Sequence, residues 1–421
     1  MRQKIYKMYI KSVNIRNIRA LKSVKMQWQH GTEAGWHVII GDNGAGKTTL
    51  LKSIALALIG DKRAEKLLEN WTDWVNHNES FANIFLELSH DNTDKIYNKL
   101  RFENINNKAA ATILVDERSF NLKSLAKKSA KNWQNETDYF SAAYSPRRNF
   151  VDKDNIDVQP EDNPVFSAHL SCLKNGDLAD VKNWIKKFLL KGENGAKFIE
   201  FLKKLLESEG LLPPEVSFYK INQIGELKFQ TSEGLVIDTA QLSNGYAAVI
   251  SLLLDLVFRL TLCYSETKIL KLIESGQTII DLSGVVLIDE IDIHLHPSWQ
   301  IKIGEWFMHY FPNIQFIVST HSPLICRACG KKGTIWRISN ETKTKVEQIT
   351  GIERDKLVYG NILDAVSTNL FGKGTSISTE AIAMMKELAV LNTKFLLDKI
   401  TETEKQKRKY LLQIFASDEK N

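Results

Sequence analysis

Cysteine is scarce in this chain: four occur among 421 residues. That number cannot build the disulfide framework of a small secreted protein, and thiols inside a cell stay reduced. Cys326 and Cys329 have the Cys-x-x-Cys spacing found in zinc sites, but the sequence has no second pair to complete four ligands. We therefore predict that these two residues are ordinary buried thiols.

Long uninterrupted apolar runs are also missing. The stretch 247–260 contains Asp255 and Arg259, so we predict that it is too short or too polar to cross a bilayer. Residues 1–7, MRQKIYK, lack the apolar centre of a signal peptide. The composition, 43% hydrophobic and 25% charged, is that of a soluble globular protein. We expect a cytoplasmic location and no membrane partner.

The excess of positive charge is small. A formal net charge of +6 permits contact with nucleic acid without requiring it. Two segments, 181–189 and 198–205, have helical apolar spacing with lysines off the apolar face. The apolar face of the first comprises Val181, Trp184, Ile185, Phe188 and Leu189. The lysines (Lys186, Lys187, Lys203 and Lys204) form either a solvated surface or a patch that faces DNA.

The first predicted elements are those of an α/β protein. Residues 8–15 and 21–26 alternate as strands, and residues 36–40 form a β-branched run typical of a strand buried on both faces. A glycine-rich loop follows, and residues 48–58 then have helical spacing. This succession opens an α/β domain.

The same class of elements returns later in the chain. Strands are predicted at 216–220 and 226–230, and two buried parallel strands at 285–288 and 314–318. Residues 381–397 are predicted to be helical.

The loop at residues 41–48, GDNGAGKT, matches the P-loop pattern G-x-x-x-x-G-K-[ST] at every fixed position. Its glycines let the backbone N–H groups surround a phosphate, next to the positive end of a helix. Lys47 is predicted to bridge the β- and γ-phosphates of ATP, and the Thr48 hydroxyl to bind Mg²⁺. The strand before the loop and the helix after it support this assignment.

Two carboxylates, Asp289 and Glu290, follow the apolar strand 285–288. Charges at the end of a buried strand are costly unless a metal or strong donors meet them. Asp289 is predicted to hold Mg²⁺, and Glu290 to act as general base on the attacking water. His321 ends the next strand, 314–318, where ligands of open α/β sheets collect, and is predicted to reach the γ-phosphate.

The run QLSNGY, residues 241–246, precedes a long apolar helix. Ser243 or Asn244 would cap that helix, and Gly245 would ease the turn. A serine and a glycine at a helix N-terminus also form an anion site. Both interpretations remain open from the residues alone.

Taken in order, these motifs resemble those of the ABC-type ATPases. They are the P-loop, LSNGY at 242–246, IDE at 288–290 and THSP at 320–323. The run DEIDIHLHP at 289–297 is similar to that of the soluble SMC/RecF/OLD-related branch. The residues Asn17–Arg19, which follow the first predicted strand, are similar to the Asn-Phe-Arg run near the start of sequences in that branch.

Within that branch, the sequence resembles the ATPase family of the Septu and retron anti-phage systems. The resemblance rests on YSPRR at 144–148, the helix with Asn183 and Trp184, and a helical C-terminal extension. It implies an ABC-ATPase head, in which an antiparallel β-subdomain joins the P-loop core sheet. The expected divisions are 1–150 and 213–350 for the head, 151–212 for a helical insertion and 351–421 for a helical extension.

The resemblance also implies a homodimer or higher homo-oligomer in which two copies enclose ATP and Mg²⁺ head to tail. The ATP-binding residues would be Arg19, Asn43, Gly44, Gly46, Lys47, Thr48 and Thr49 of one copy with Ser243, Asn244 and Gly245 of the other. Thr48 and Asp289 would hold Mg²⁺, and Glu290 and His321 would be catalytic. Asn244 and Tyr246 depart from the common Leu-Ser-Gly-Gly-Gln signature, which leaves the hydrolysis rate open.

Two further pairs of residues have alternative interpretations. His294 and His296 fall on the loop that would face the partner copy, which favours dimer contacts over a metal pair. Arg147 and Arg148 are either ordinary surface charges or contacts to phosphate or DNA.

The expected function follows from two features: the set of ATP-site motifs is complete, and no nuclease motif is recognised in the sequence. The segment between the P-loop and the signature has two short helices and no long coiled coil, and the chain after His321 lacks the acidic cluster of a Toprim nuclease. The resemblance implies an anti-phage ATPase whose head dimerisation holds or controls a separate nuclease effector of the HNH type. The alternative is a RecF-like, ATP-gated DNA-binding protein of DNA repair.

Overall fold

The computed structural model describes most of the chain. The described residues are 8–60, 64, 74–90, 96–105, 108–112, 140–147, 164–174, 178, 181–209, 211–264, 266–274, 278–339, 345–360, 379–397 and 400–415. Arg148 lies outside the described residues.

Fourteen strands are described in these ranges. They are β1 (Met8–Ile18), β2 (Leu21–Gln27), β3 (Gly35–Gly41), β4 (Phe81–His90), β5 (Ile96–Ile105), β6 (Lys108–Thr112), β7 (Ser141–Tyr144), β8 (Val216–Ile221), β9 (Leu227–Thr231), β10 (Val236–Asp238), β11 (Gly284–Ile288), β12 (Ile314–Thr320), β13 (Ile335–Ser339) and β14 (Lys345–Ile349). The predicted strands are therefore present, several of them longer than the sequence pattern indicates.

The helices lie between groups of strands along the chain and at its C-terminal end. They are α1 (Lys47–Ile59), α2 (Pro164–Ser167), α3 (Leu170–Lys174), α4 (Val181–Leu189), α5 (Gly192–Leu206), α6 (Asn244–Tyr264), α7 (Glu266–Glu274), α8 (Pro297–Tyr310), α9 (Gly351–Tyr359), α10 (Thr379–Leu396) and α11 (Glu402–Phe415). Two 3₁₀ helices cover Thr239–Gln241 and Pro323–Cys329. Strands and helices together make an α/β fold, as predicted.

The central sheet has the order β14-β13-β3-β12-β11-β7. Of its described strands, β13, β3, β12, β11 and β7 pair in parallel, and β14 pairs antiparallel with β13. Every residue of β3, β11 and β12 is buried. Burial on both faces explains why the sequence of these strands is continuously apolar rather than alternating.

A second sheet, in the order β2-β1-β4-β5-β6, is antiparallel throughout its described pairs. One face of β1 packs inward through Val13 and Ile15, which belong to the same hydrophobic core as residues of α1 and β11. Gln315 of β12 joins the two sheets: its side-chain amide accepts from the Ile10 N–H at 2.7 Å and donates to the Ile10 carbonyl at 2.9 Å. The antiparallel sheet thus shares a core with the central sheet.

Helices α4, α5 and α6 contact one another through an aromatic cluster. The Trp184 ring contacts the rings of Phe188, Phe198 and Phe258, with centroids 5.1–5.4 Å apart. Leu189 was predicted on the buried face of α4, but it is 36% exposed. That prediction was wrong because Leu189 is the last residue of the helix, where the chain turns away.

Helix α6 is longer and more apolar than its sequence pattern indicated. It has 21 residues, and its most apolar 18-residue window has a mean hydropathy of 1.9, so its length and composition are those of a membrane-spanning helix, which corrects the expectation from the sequence. However, 83% of its most apolar window is buried inside the protein. Its two charges, Asp255 and Arg259, pair with each other in this interior.

The chain divides into two compact units, residues 1–362 and 363–421. In the second unit α10 packs on α11 through Leu388, Leu391 and Leu411. Lys394 and Lys407 form ion pairs across the two helices with Glu404 and Glu387.

Candidate nucleotide site

The P-loop connects the end of β3 to the start of α1. Gly44 and Gly46 have φ angles of +76° and +104°, a backbone conformation that residues with a side chain rarely adopt. A Cβ on Gly41 would lie 2.5 Å from the carbonyl oxygen of Ile338 on the neighbouring strand. The glycines are therefore required by the curl of the loop and by its close approach to β13.

The ammonium of Lys47 lies inside this loop. Its Nζ donates hydrogen bonds to the carbonyl oxygens of Gly41 at 2.7 Å and Asp42 at 3.1 Å. Burial lowers the pKa of Lys47, and nearby negative charges oppose that shift. Those charges belong to Glu290, Asp289, Asp292 and Asp42. The loop thus places one cation near four carboxylates.

Asp289 meets the P-loop helix directly. The Thr48 hydroxyl of α1 donates to Oδ2 of Asp289 at 2.7 Å, although 241 residues separate the two in sequence. Asp289 is 1% exposed and follows β11. The contact arises because β3 and β11 both pair with β12 in parallel, so their carboxyl ends lie at the same edge of the sheet.

Two hydroxyls at the end of β12 hold the loop after β11. Ser319 donates from Oγ to Oδ1 of Asp289 and accepts from the backbone N–H of Glu290 at 2.8 Å. Thr320 donates from Oγ1 to Oδ1 of Asp292 at 2.6 Å. Sequence reasoning missed Ser319, Thr320 and Asp292. The available signal was the pair of hydroxyl residues directly before the predicted His321.

His321 lies at the same edge of the sheet. Thr320 pairs with Ile40 in the parallel register of β12 and β3, so His321 and Gly41 are the next positions beyond that pair. The His321 side chain is exposed. The backbone after it is fixed by Ser322, whose hydroxyl accepts from the Leu324 N–H at 3.2 Å and caps the following 3₁₀ helix.

The signature residues stand at the N-terminus of α6. Ser243 and Asn244 are exposed, whereas Gly245 is buried against the carbonyl oxygen of His294. The Tyr246 ring packs edge-on against Trp299, with centroids 5.6 Å apart. The signature helix therefore packs on the loop that follows Asp289 and Glu290 in the same chain.

The remaining predicted residues lie in varied surroundings. Arg19 has a φ of +48° and its guanidinium stacks 4.6 Å above the Trp74 ring. Asn43 is exposed on the P-loop and Thr49 is half-buried on α1. Arg147 is exposed after β7.

The two remaining histidines and the cysteine pair are also placed. His294 has a φ of +63°, and His296 caps α8 by accepting from the Ser298 N–H. Cys326 and Cys329 are free and buried, as predicted.

The parallel strands of the central sheet bring Lys47 and Thr48 close to the carboxylates that follow β11. An antiparallel sheet shares the hydrophobic core of the central sheet, and the signature residues begin the buried helix α6. Together, these features define the head of an ABC-type ATPase. Residues 37–327 match the family model described as "AAA domain, putative AbiEii toxin, Type IV TA system". The chain belongs to this family.

Several proteins are similar to the chain. Septu protein PtuA of Bacillus mycoides (strain KBAB4) is 25% identical over 334 residues, 76% of this chain and 39% of that protein. The retron Ec83 probable ATPase of Escherichia coli is 34% identical over 224 residues, 50% of this chain and 36% of that protein. The chain thus spans about two fifths of the length of these two relatives. The retron Vc95 probable ATPase of Vibrio cholerae serotype O1 biovar El Tor is 24% identical over 90% of this chain and 79% of that protein.

Solved structures resemble the chain more distantly. The Smc head bound to the C-winged helix domain of ScpA has 16% identity and a TM-score of 0.49, over 83% of this chain and 99% of that one. The recombination mediator RecF bound to ATP has 16% identity and a TM-score of 0.39, over 82% of this chain and 100% of that one.

Proposed function

We propose that this chain is the ATPase of an anti-phage defence system, in which ATP pairs two heads and the pair holds or controls a separate nuclease effector. The observation that carries the enzymatic part is the 2.7 Å hydrogen bond between Thr48 and Asp289, beside the Lys47 ammonium. It joins a phosphate-binding loop to a carboxylate suited to a divalent cation.

The P-loop fits the triphosphate of ATP. Gly44 and Gly46 have left-handed backbone conformations, the kind of geometry that lets loop N–H groups turn toward a phosphate, and α1 begins at Lys47. With ATP bound, the phosphates would replace the Gly41 and Asp42 carbonyls as partners of the Lys47 ammonium. Asn43, Thr49 and Arg19 are the other residues of this copy that we assign to ATP.

The oxygens of Thr48 and Asp289 fit Mg²⁺. This cation prefers hard oxygen ligands and is usually held by one or two protein groups together with phosphates and water. One hydroxyl and one carboxylate, 2.7 Å apart at the mouth of the P-loop, are such a set. When bound, Mg²⁺ would neutralise charge that develops on the phosphates.

Glu290 is the group that we assign as general base. It would accept a proton from the water that attacks the γ-phosphorus, while the bond from that phosphorus to the β–γ bridging oxygen breaks. His321 would donate to a γ-phosphate oxygen. Ser243, Asn244 and Gly245 of a second copy would close the site through their exposed helix N-terminus, which makes a homodimer or higher oligomer necessary for turnover.

The defence assignment is supported by the relatives named for Septu and for retrons. On that basis, we propose a cytoplasmic protein with an HNH-type nuclease as its separate partner. DNA contact through Arg147 and Arg148 belongs to the same proposal.

A phage-challenge assay with the native gene cluster tests the whole proposal. Cells that carry the cluster should resist phage, and cells with Lys47→Ala or Glu290→Gln should not.

Purified protein should hydrolyse ATP, and Glu290→Gln should abolish turnover and accumulate an ATP-dependent dimer in analytical ultracentrifugation. Normal turnover by Glu290→Gln would overturn the catalytic assignment. ATP-dependent, salt-sensitive binding of duplex DNA without any phage resistance would instead favour the DNA-repair alternative.

A further inference from the structure

Ser319 is a buried hydroxyl at the edge of the sheet where the nucleotide site lies. It is the sixth residue of β12, and none of its surface is exposed. A serine hydroxyl has one proton to donate and two lone pairs to accept with. Here it donates to Oδ1 of Asp289 and accepts from the Glu290 N–H at 2.8 Å. Ser319 therefore contacts both members of the carboxylate pair.

The first consequence concerns the Asp289 carboxylate. Its Oδ1 accepts from Ser319 on β12 and its Oδ2 from Thr48 on α1 at 2.7 Å. The hydrogen bond from Ser319 holds Oδ1 against β12, and the other oxygen, Oδ2, then faces Thr48 at the start of α1. Removing the Ser319 hydroxyl takes away one of the hydrogen bonds that fix the orientation of this carboxylate and leaves Oδ1 buried without that donor.

The second consequence concerns the backbone at Glu290. Its φ is +47°, a left-handed conformation that is unfavourable for a residue with a Cβ and must be held by its surroundings. Ser319 holds it from both sides. Its hydroxyl accepts from the Glu290 N–H at 2.8 Å, and its carbonyl oxygen accepts from the Ile291 N–H at 3.1 Å.

The two peptide groups that flank the Glu290 Cα are thus fixed by one residue of the neighbouring strand. Since the Cα–Cβ direction follows from those two peptide planes, Ser319 sets the direction in which the Glu290 side chain leaves the backbone. The sequence separation of about thirty residues between the partners is bridged by the parallel register of β11 and β12.

We propose that Ser319 is a positioning residue of ATP hydrolysis, which aims Asp289 at the divalent cation and Glu290 at the attacking water. The proposal rests on the site assigned above. Outer partners of metal ligands change metal affinity or activity by about 10–100-fold when removed. A loss of this size is therefore expected although Ser319 would act only through Asp289 and Glu290.

Ser53 provides a matched control. Its hydroxyl is equally buried and donates a single hydrogen bond, at 2.7 Å, to the Thr49 carbonyl on α1. Ser53→Ala therefore removes a buried hydroxyl bond next to the P-loop without touching the carboxylates.

The experiment compares wild type, Ser319→Ala and Ser53→Ala in two assays on the full chain. In the first, ATP turnover is measured against Mg²⁺ concentration. We expect Ser319→Ala to lower kcat by about tenfold or more and to raise the Mg²⁺ concentration at half-maximal rate, with the KM for ATP little changed. In the second, binding of a fluorescent ATP analogue is titrated with Mg²⁺, and Ser319→Ala should need about tenfold more Mg²⁺ to reach full affinity.

The proposal is overturned if Ser319→Ala matches wild type within twofold in both assays, or if Ser53→Ala reproduces its changes. Ser319→Cys keeps a polar group at the position of the hydroxyl but donates only weakly, so it takes the place of alanine if that variant does not fold. If wild type itself fails to hydrolyse ATP, the proposed catalytic assignment falls. The Mg²⁺ titration of nucleotide binding still decides whether Ser319 positions Asp289.

Discussion

The backbone of Gly245 lies against the carbonyl oxygen of His294: a Cβ at this glycine would be 2.3 Å from that oxygen. Gly245 belongs to the signature at the start of α6, and His294 to the loop that follows Glu290. In a head-to-tail pair these two elements would serve different ATP molecules. Their direct contact within one chain would give the two sites of such a pair a physical connection.

Gly245→Ala should destabilise the protein and slow hydrolysis. In helices alanine is normally more stabilising than glycine by about 1 kcal/mol, but here the added methyl group collides with backbone that has to move. We expect a lower midpoint in thermal denaturation, with ATP binding retained. An increase in thermal stability would contradict the close approach of Gly245 to His294.

Lys47→Ala should weaken ATP binding. A hydrogen bond to a charged group contributes about 1.5–3 kcal/mol, which corresponds to a loss of affinity of roughly 10–100-fold. The control is Lys52→Ala, which removes a positive charge from the same helix but lies outside the P-loop. Isothermal titration calorimetry with ATP measures both variants, and equal losses in the two would refute a specific contact by Lys47.

The buried pair of Asp255 and Arg259 should respond unequally to single and double substitution. Both side chains are at most 6% exposed, with Nε and Oδ2 3.4 Å apart, and Nη1 of Arg259 also donates to the Ser167 hydroxyl. Arg259→Met leaves Asp255 charged in the interior and should cost about 3–5 kcal/mol.

Combining Asp255→Leu with Arg259→Met removes both charges and should restore part of that stability. Urea unfolding measures the free energies. A double variant less stable than the Arg259→Met single variant would contradict the argument.

His37 should make the protein less stable as the pH falls below about 6.5. Burial lowers the pKa of this histidine to about 4, against the opposing effect of a hydrogen bond from its ring to the Glu33 carbonyl. Because the folded-state pKa lies below the unfolded one, the unfolded chain takes up a proton first. The contribution of His37 to the free energy of unfolding is therefore fully present above pH 6.5. It is lost as the pH falls toward 4, which lowers the free energy of unfolding by about 3 kcal/mol.

The matched measurement uses urea unfolding of wild type and His37→Gln at several pH values from 7 to 4.5. Other groups titrate in the same range, so the quantity of interest is the difference between the two proteins. That difference should shift in favour of the variant as the pH falls. A difference independent of pH would show that His37 is not buried in its neutral form.

Much of the site was accessible from the sequence because its parts are locally encoded. The P-loop needs glycines, a lysine and a threonine within eight residues, and the run 285–290 shows a buried strand and its carboxylates together. Local patterns mark strand and helix interiors well but their ends poorly. Thus α6 extends beyond the predicted apolar stretch, and Leu189 lies at the end of α4 rather than on its buried face.

The sequence by itself therefore determined the α/β class, the phosphate loop and the carboxylates, since each depends on residues close together in the chain. The tertiary structure decided which distant residues meet: Thr48 with Asp289, Ser319 with Glu290, and Gly245 with His294. These contacts depend on the order of the strands in the sheet and on their register. Parallel strands are joined by long crossover connections, so a local sequence pattern indicates neither the order nor the register.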